Sequence, residues 1–392
     1  MLLSRTPNVP ARTRFAASGR ERAPAIVVIA GTRPECIKLA PVIRRLGIRR
    51  HFRVVVVNSG QHVAAVQRTF AEFGIRSTIE LAALPSFSHL GAACAHLQTE
   101  LVEVLARERP AAVIVQGDTL TAYAGARAAS EAGYPLAHVE AGLRTDSVGE
   151  PFPEEWFRRR IARHAQLHFA PSRSGAQNLL DEGVASEAVH RVGNTGIDSL
   201  RWVLDELGIE PRAAAHTRDL VLVTVHRREN FDRNAALVCD ALFELSAARP
   251  ELRLLFPIHP NPRIAHMFRR RLAGLSACRL TEPMGYAAFI EQAAQAALII
   301  SDSGGIQEEA PHLGTPLLVP RINTERPESL ETGFVRLVRV GPDSIAAAAL
   351  EMVSAPPRPP VPRDADAPFG AGDAAGAIVR VLEAAFSKHA FA

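Results

Sequence analysis

Short runs of aliphatic and β-branched residues alternate along the chain with longer amphipathic stretches. Ala25–Ala30 (AIVVIA), Arg53–Asn58, Ala112–Gln116 and residues 135–140 read as buried strands. Between them, residues 41–46, 63–73 and 92–107 carry apolar positions at helical spacing. The strand runs are continuously apolar rather than alternating. That predicts a parallel sheet covered on both faces by helices. The pattern then begins again, with strands expected at residues 219–225, 252–256, 297–301 and 316–320. Two α/β units follow, with the break expected between residues 193 and 219. The Pro-rich stretch 353–362 reads as a connection.

Length agrees with this division, since 392 residues suffice for two domains. Hydrophobic residues make up 47% and charged residues 22%, which excludes disordered, collagen-like and coiled-coil chains. Aromatics are only 6%, so the core must be packed by Ala, Val, Leu and Ile. The net charge of +4 is too small and too scattered to indicate a nucleic-acid partner, and it is compatible with a small acidic ligand. Cys36, Cys94, Cys239 and Cys278 form no CxxC pair, and they read as reduced thiols of a cytoplasmic protein. No apolar run reaches the roughly 18–20 residues that span a bilayer. Residues 1–24 hold Arg5, Arg12, Arg14, Arg20 and Arg22 against the single acid Glu21, and they read as a flexible extension.

In open parallel sheets, ligands bind beyond the carboxyl ends of the strands, so the residues just after each strand carry the chemistry. After the first strand come Gly31-Thr32-Arg33-Pro34-Glu35 and then Lys38. A Gly turn entering a helix N-terminus beside two cations suits a phosphate. After 112–116 comes Gly117-Asp118-Thr119, which taken alone is also an ordinary N-cap. After 135–140 comes Ala141-Gly142-Leu143-Arg144. The helix that follows carries Glu154 and Arg158, expected as an i,i+4 pair. Asp118, Glu140 and Glu154 thus fall at one sheet rim. Carboxylates gathered there suit proton transfer, because proximity and burial raise some of their pKa values. Two-metal chemistry is the rival use, but no HxH or HExxH pattern supports a metal.

In the second unit, residues 219–225 end in His226-Arg227-Arg228-Glu229-Asn230, and 252–256 lead into Pro257-Ile258-His259-Pro260. The most specific element is Ser301-Asp302-Ser303-Gly304-Gly305-Ile306-Gln307-Glu308-Glu309. Gly304 and Gly305 let the backbone approach an anion at a helix N-terminus, and Glu309 lies one turn on, placed to accept from ribose hydroxyls. It is neither a GxGxxG nor a Walker loop, which disfavours a nicotinamide cofactor and ATP hydrolysis. Thr324-Glu325-Arg326-Pro327-Glu328 opens a further helix.

The motifs GTRPECIKLAPVI, QGDT, HVEAGLRT, PFPEE, HRREN, PIHPNP, DSGGIQEEAPHLGTPLLV and TERPE come in the order seen in the non-hydrolysing UDP-N-acetylglucosamine 2-epimerases. The chain resembles that family over roughly residues 25–385. The resemblance implies two Rossmann-like α/β domains facing a central cleft, as in the glycosyltransferase B architecture, with the active site in the cleft. Residues 25–195 would form the first domain and 196–368 the UDP-binding second. Residues 369–392 would be a C-terminal helix crossing back to the first. It also implies interconversion of UDP-GlcNAc and UDP-ManNAc by a homodimer, for cell-surface polysaccharide biosynthesis. Carried over by motif, Asp118, Glu140, Glu154, Arg158 and His226 would be catalytic. Arg33 and Lys38 would serve the phosphates and the active site, Ser303, Gly304 and Gly305 the pyrophosphate, and Glu309 the ribose. Arg326 would contact the ligand, and Phe289 would lie near the uracil. The partner implied is a UDP-sugar, with no membrane, no cofactor and no metal.

The family's chemistry is elimination of UDP to 2-acetamidoglucal followed by re-addition. Several positions depart from its pattern. Gln116 stands where His is common, residues 146–150 lack the usual Tyr-Ser, and Met284 stands where Gln is frequent. Val63-Ala64 follow Gln61-His62 where Arg and Gln usually serve an effector UDP-GlcNAc, so weak or absent activation is expected. A 2-epimerase acting on a modified UDP-sugar, a glycosyltransferase of the same architecture, a nucleotide-sugar sensor and a hydrolysing epimerase are the competing readings. The acid-rich rim disfavours the transferase, and the complete set of acids disfavours the sensor. The intact GTRPE and PEE motifs disfavour hydrolysis.

Overall fold

The computed structural model describes residues 23–49, 51–145, 151–211, 219–225, 233–258, 261–364 and 367–386. Seven strands form the first sheet: β1 (Ala25–Ala30), β2 (Arg53–Asn58), β3 (Ile79–Glu80), β4 (Ala112–Gln116), β5 (Leu136–Val139), β6 (Leu167–Ala170) and β7 (Val189–Arg191). Their order is β3-β2-β1-β4-β5-β6-β7. Strand β1 runs parallel to β2, with Ala25 opposite Arg53 and Ala30 opposite Asn58, and parallel to β4, with Ile26 opposite Ala112. Every residue of β1 is buried, as its uninterrupted apolar run requires. The helices are α1 (Arg33–Ile48), α2 (Val63–Glu72), α3 (Leu90–Glu108), α4 (Leu120–Glu131), α5 (Glu154–Ala162) and α6 (Arg173–Asp181).

After α7 (Thr195–Leu207), the second sheet comprises β8 (Leu220–Thr224), β9 (Arg253–Pro257), β10 (Cys278–Thr281), β11 (Leu298–Ser301), β12 (Leu317–Val319) and β13 (Val335–Leu337). Its order, β10-β9-β8-β11-β12-β13, repeats the first six positions of the first sheet. Around it lie α8 (Arg233–Ala248), α9 (Pro262–Arg271), α10 (Tyr286–Gln295), α11 (Gly304–Leu313), α12 (Pro327–Glu331) and α13 (Pro342–Ser354). Val221, Val223, Leu254, Phe256, Phe268, Leu298 and Ile300 fill the core of this sheet. Few of these side chains are aromatic, as the composition requires. The last helix, α14 (Ala374–Phe386), is capped at its start by the Asp198 carboxylate, which accepts from Ala374 N–H and Ala375 N–H at 3.2 and 2.9 Å.

In both sheets the order reverses where the first strand of the set meets the fourth, at β1/β4 and at β8/β11. Those are the topological switch points at which such sheets bind ligands. By packing, the chain divides into two compact units, residues 1–138 with 163–166 and 376–392, and residues 139–162 with 167–375. The division falls inside β5.

The eight expected strands are all present, within a residue or so of their expected ends. Five more, β3, β6, β7, β10 and β13, were not anticipated. They have two to four residues each and carry polar or charged side chains, as in VHR and CRLT. Cys36, Cys94 and Cys239 are buried, and none of the four cysteines is in a disulfide. Among the described residues, no helix is long and apolar enough to cross a membrane, and no group of His, Cys, Asp or Glu is placed to hold a metal ion.

Candidate active site

The first switch point is built tightly. A Cβ on Gly31 would stand 2.0 Å from Thr121 Oγ1 and 2.3 Å from Ser59 Oγ, so only glycine lets β1 end beneath the start of α4. Ser59 and Thr121 share a hydrogen bond of 2.7 Å, and Gln61 Oε1 accepts from the Thr121 hydroxyl at 2.7 Å. Arg33 lies half-buried and Lys38 buried on α1, whose first turn includes Pro34. Asp118 is half-buried in the turn before α4. Two groups fix that turn. His138 Nε2 donates to the Gly117 carbonyl at 2.8 Å, and Thr119 Oγ1 accepts from Ala122 N–H at 3.0 Å as the N-cap.

Glu35, which sequence reasoning passed over, lies at the centre of this network. Gly31 N–H and Thr32 Oγ1 donate to its Oε2 at 3.1 and 2.7 Å, and Thr119 Oγ1 donates to its Oε1 at 2.8 Å. Burial pushes its carboxyl up to about 7, against the downward pull of those hydrogen bonds.

The second unit holds a buried ionic cluster. Glu140, just after β5, has a φ of 64°, a left-handed conformation that costs a non-glycine residue about 1–3 kcal/mol. Arg326 Nη2 donates to its Oε1 at 2.9 Å. The same guanidinium donates to Glu325 Oε1 at 2.6 Å and to Glu308 Oε1 on α11. Arg321 Nη2 adds a bond to Glu325 Oε2 at 3.0 Å. Burial works against the Arg326 charge, but Glu308, Glu325 and Glu140 together hold its pKa above the usual value. The guanidinium also lies against Gly304, where a Cβ would come within 2.5 Å of Nη1. The Arg326 side chain therefore favours glycine at the start of α11.

Ser303 precedes α11 and makes no side-chain cap there, so the amide end of this ten-residue helix is left for other acceptors. Ser303 N–H is oriented by Ser301 Oγ at 3.1 Å, and Ser301 in turn accepts from Thr224 Oγ1 at 2.7 Å, joining the ends of β11 and β8. Glu309 is buried, with Tyr286 Oη donating to its Oε1 at 2.7 Å. Phe289 is buried one turn further along α10.

On α5 the structure differs from the expected pairing. The carboxylate that Arg158 meets is Glu155, three residues away, at 3.0 Å. Glu155 is fully buried, and it also accepts from Arg159 Nε at 3.0 Å and from Thr145 N–H at 3.3 Å. Glu154 stays half-buried in the first turn. With two adjacent acids in the first turn, the helical pattern could not reveal which one turns inward. His226, with Arg227, Arg228, Glu229 and Asn230, lies outside the described residues, as do His259, Pro260 and residues 146–150.

The first unit thus carries Arg33 and Lys38 on α1 and Asp118 in the turn before α4, with Glu35 joining the two elements, and the second unit gathers Glu140, Arg326, Gly304 and Glu309. Sequence reasoning missed Glu35, Glu155, Glu308, Glu325 and Tyr286. The four acids sit inside motifs already singled out, but no local signal marks them as the ones that turn inward.

Residues 44–383 match the family model described as UDP-N-acetylglucosamine 2-epimerase. A probable UDP-N-acetylglucosamine 2-epimerase of Ralstonia nicotianae is 37% identical over 372 residues, covering 92% of this chain and 99% of that protein. The UDP-N-acetylglucosamine 2-epimerase of Escherichia coli K12 is 34% identical over 368 residues, covering 91% and 98%. The crystal structure of the UDP-GlcNAc 2-epimerase of Neisseria meningitidis bound to UDP-GlcNAc superposes with a TM-score of 0.84 at 32% identity, over 91% of this chain and 99% of that one.

Proposed function

The chain belongs to the UDP-N-acetylglucosamine 2-epimerase family, and we propose that it interconverts UDP-GlcNAc and UDP-ManNAc without hydrolysis. The observation that carries this reading is the Glu140–Arg326–Gly304 contact. It joins an acid suited to proton transfer to the turn suited to a diphosphate.

The chemistry follows from the substrate. The C2–H of an N-acetyl sugar is flanked by no carbonyl, so direct deprotonation is unfavourable. Elimination avoids this: the C2 proton leaves as the C1–O bond to UDP breaks, giving 2-acetamidoglucal and UDP. Re-addition of UDP at C1 with protonation of the opposite face at C2 gives the epimer. Carbon is neither oxidised nor reduced overall, so the scheme calls for no redox cofactor.

Departure of UDP needs its charge met. Ser303, Gly304 and Gly305 would present amides at the start of α11, with Arg33 and Lys38 as cations and His226 beside them. Asp118, Glu140 and Glu154 are the candidates for moving protons on the two faces, and Arg158 would steady this acid group. Glu309, held by Tyr286, would accept from ribose hydroxyls, and Phe289 would lie near the uracil. Arg326, enclosed by carboxylates, serves by orienting Glu140 and shaping the Gly304 turn. Family membership supports a homodimer acting in the cytoplasm on precursors of cell-surface polysaccharide. The two domains are proposed to run over 25–195 and 196–368.

The test is product analysis after incubation with UDP-GlcNAc alone. Epimerisation yields UDP-ManNAc in equilibrium with UDP-GlcNAc and no accumulating free sugar. Stoichiometric free ManNAc and UDP would mean a hydrolysing enzyme instead.

A further inference from the structure

Glu35 is a fully buried acid that the scheme above leaves without a part. Its contacts do not resemble those of a structural ion pair. They are the Gly31 amide and the hydroxyls of Thr32 and Thr119, all donating. Thr32 is the N-cap residue of α1, immediately before Arg33. Thr119 is the N-cap residue of α4, immediately after Asp118. Glu35 and Thr119 lie 84 residues apart in sequence, and they join the starts of α1 and α4 at the switch point of the first sheet.

We propose that Glu35 is a positioning residue for the reaction, its carboxylate tying the first turn of α1, which carries Arg33, to the turn that carries Asp118. The inference rests on the epimerase reading for its kinetic consequence but not for its geometry. Thr119 Oγ has one proton. It donates that proton to Glu35 while accepting from Ala122 N–H, so the helix cap and the tie are made by the same atom. Both carboxylate oxygens act only as acceptors. A proton on Oε2 displaces one of its two donors, and a proton on Oε1 turns the charge-assisted Thr119 bond into a weaker neutral one.

Burial puts this change of state near neutral pH, with the carboxyl raised to about 7. The titratable neighbour is the Cys36 thiol, next to it on α1, which burial first and then the Glu35 charge push above its usual range. Arg33 and Lys38 on the same helix and Asp118 beside Thr119 are the charged groups of the elements packed there. The tie is therefore complete above neutral pH and loosened below it.

The experiment compares the wild-type protein with Glu35→Gln and Thr119→Val. Activity is followed as kcat and KM for UDP-GlcNAc against pH, and glutamate side-chain carboxyls are followed by carbon NMR. The wild-type kcat should fall as pH drops through about 7. Glu35→Gln should lower kcat at pH 8 by roughly 10²-fold, move KM by less than about threefold and remove that midpoint, because misplacement costs the chemical step. Thr119→Val should reproduce the kcat loss. Wild-type kcat with an intact midpoint in Glu35→Gln would overturn the proposal. The NMR titration decides the case even if the wild-type protein turns over no UDP-GlcNAc, an outcome that would count against the epimerase reading instead. A resonance missing in Glu35→Gln, titrating near 7 and shifted by Thr119→Val, supports the tie. A midpoint in the ordinary carboxyl range, or no response to Thr119→Val, overturns it.

Discussion

Arg326 donates to Glu140 across 2.9 Å, with both side chains buried and Glu140 in a left-handed backbone conformation. The same cation answers Glu308 and Glu325. Replacing it by Met would leave three buried carboxylates without their common partner, a loss of about 3–5 kcal/mol for a broken buried pair. Arg326→Lys is not a mild change either, since one ammonium cannot present the planar fork that serves three acids. Both variants are expected to lower the denaturation midpoint in urea and to cut kcat by more than about tenfold, because Glu140 loses its orientation. Unchanged stability in both would contradict the cluster as described.

Tyr286 and Glu309 offer a gentler probe. Tyr286→Phe removes the hydroxyl that donates to Glu309 Oε1 at 2.7 Å and leaves the ring in place. A hydrogen bond to a charged group is worth about 1.5–3 kcal/mol, so KM for the UDP-sugar should rise by roughly tenfold or more while kcat changes less. Steady-state kinetics with UDP-GlcNAc measures this. A purely structural tyrosine would leave KM where it was.

Two buried groups should shape the pH dependence of stability in opposite senses. Glu35 is raised from 4.5 to about 7 by burial, so the native protein binds more protons than the unfolded chain in that window, and stability falls as pH rises through it. His312 is lowered from 6.5 to about 4, by burial first and then by Arg201 and Arg363, so stability falls as pH drops from 6.5 towards 4. Between about 4.5 and 6.5 the two effects offset each other. Glu35→Gln is expected to remove the loss at high pH, a gain of up to about 3 kcal/mol at pH 8 relative to pH 5, and His312→Gln the loss at low pH. Denaturant titrations across pH 4–8 would show the two slopes separately. Parallel slopes in both variants and wild type would refute the assignments.

Effector behaviour is a fourth expectation. Gln61 Oε1 is already engaged by Thr121 N–H and Oγ1, at 3.1 and 2.7 Å, and Val63-Ala64 begin α2 without the polar side chains the family places there. Initial rates against UDP-ManNAc are therefore expected to be hyperbolic. A sigmoidal curve made hyperbolic by added UDP-GlcNAc would show that activation is retained.

Much of the fold is legible in the chain because a parallel sheet covered on both faces leaves continuous apolar runs. AIVVIA and RVVVVN become β1 and β2 at their expected bounds. The short strands escape because they are brief and polar: CRLT and VRL look like turns until a longer strand beside them supplies hydrogen-bond partners. The site was legible by loop rather than by contact. Nothing local in the sequence tells that Arg326 will meet Glu140, 186 residues away, or that Glu155 and not Glu154 will meet Arg158. Those choices are made by tertiary packing around helices whose own pattern allows either. Glu35 escaped for the converse reason: it sits beside cations in a motif that reads as phosphate-binding, while its own carboxylate faces hydroxyls.

The most direct measurement is proton NMR of UDP-GlcNAc incubated with the protein in deuterated water. Elimination and re-addition would place deuterium at C2 of both UDP-GlcNAc and UDP-ManNAc, with no free sugar accumulating. Interconversion that keeps the C2 proton, or no change in the substrate at all, would contradict epimerisation through 2-acetamidoglucal.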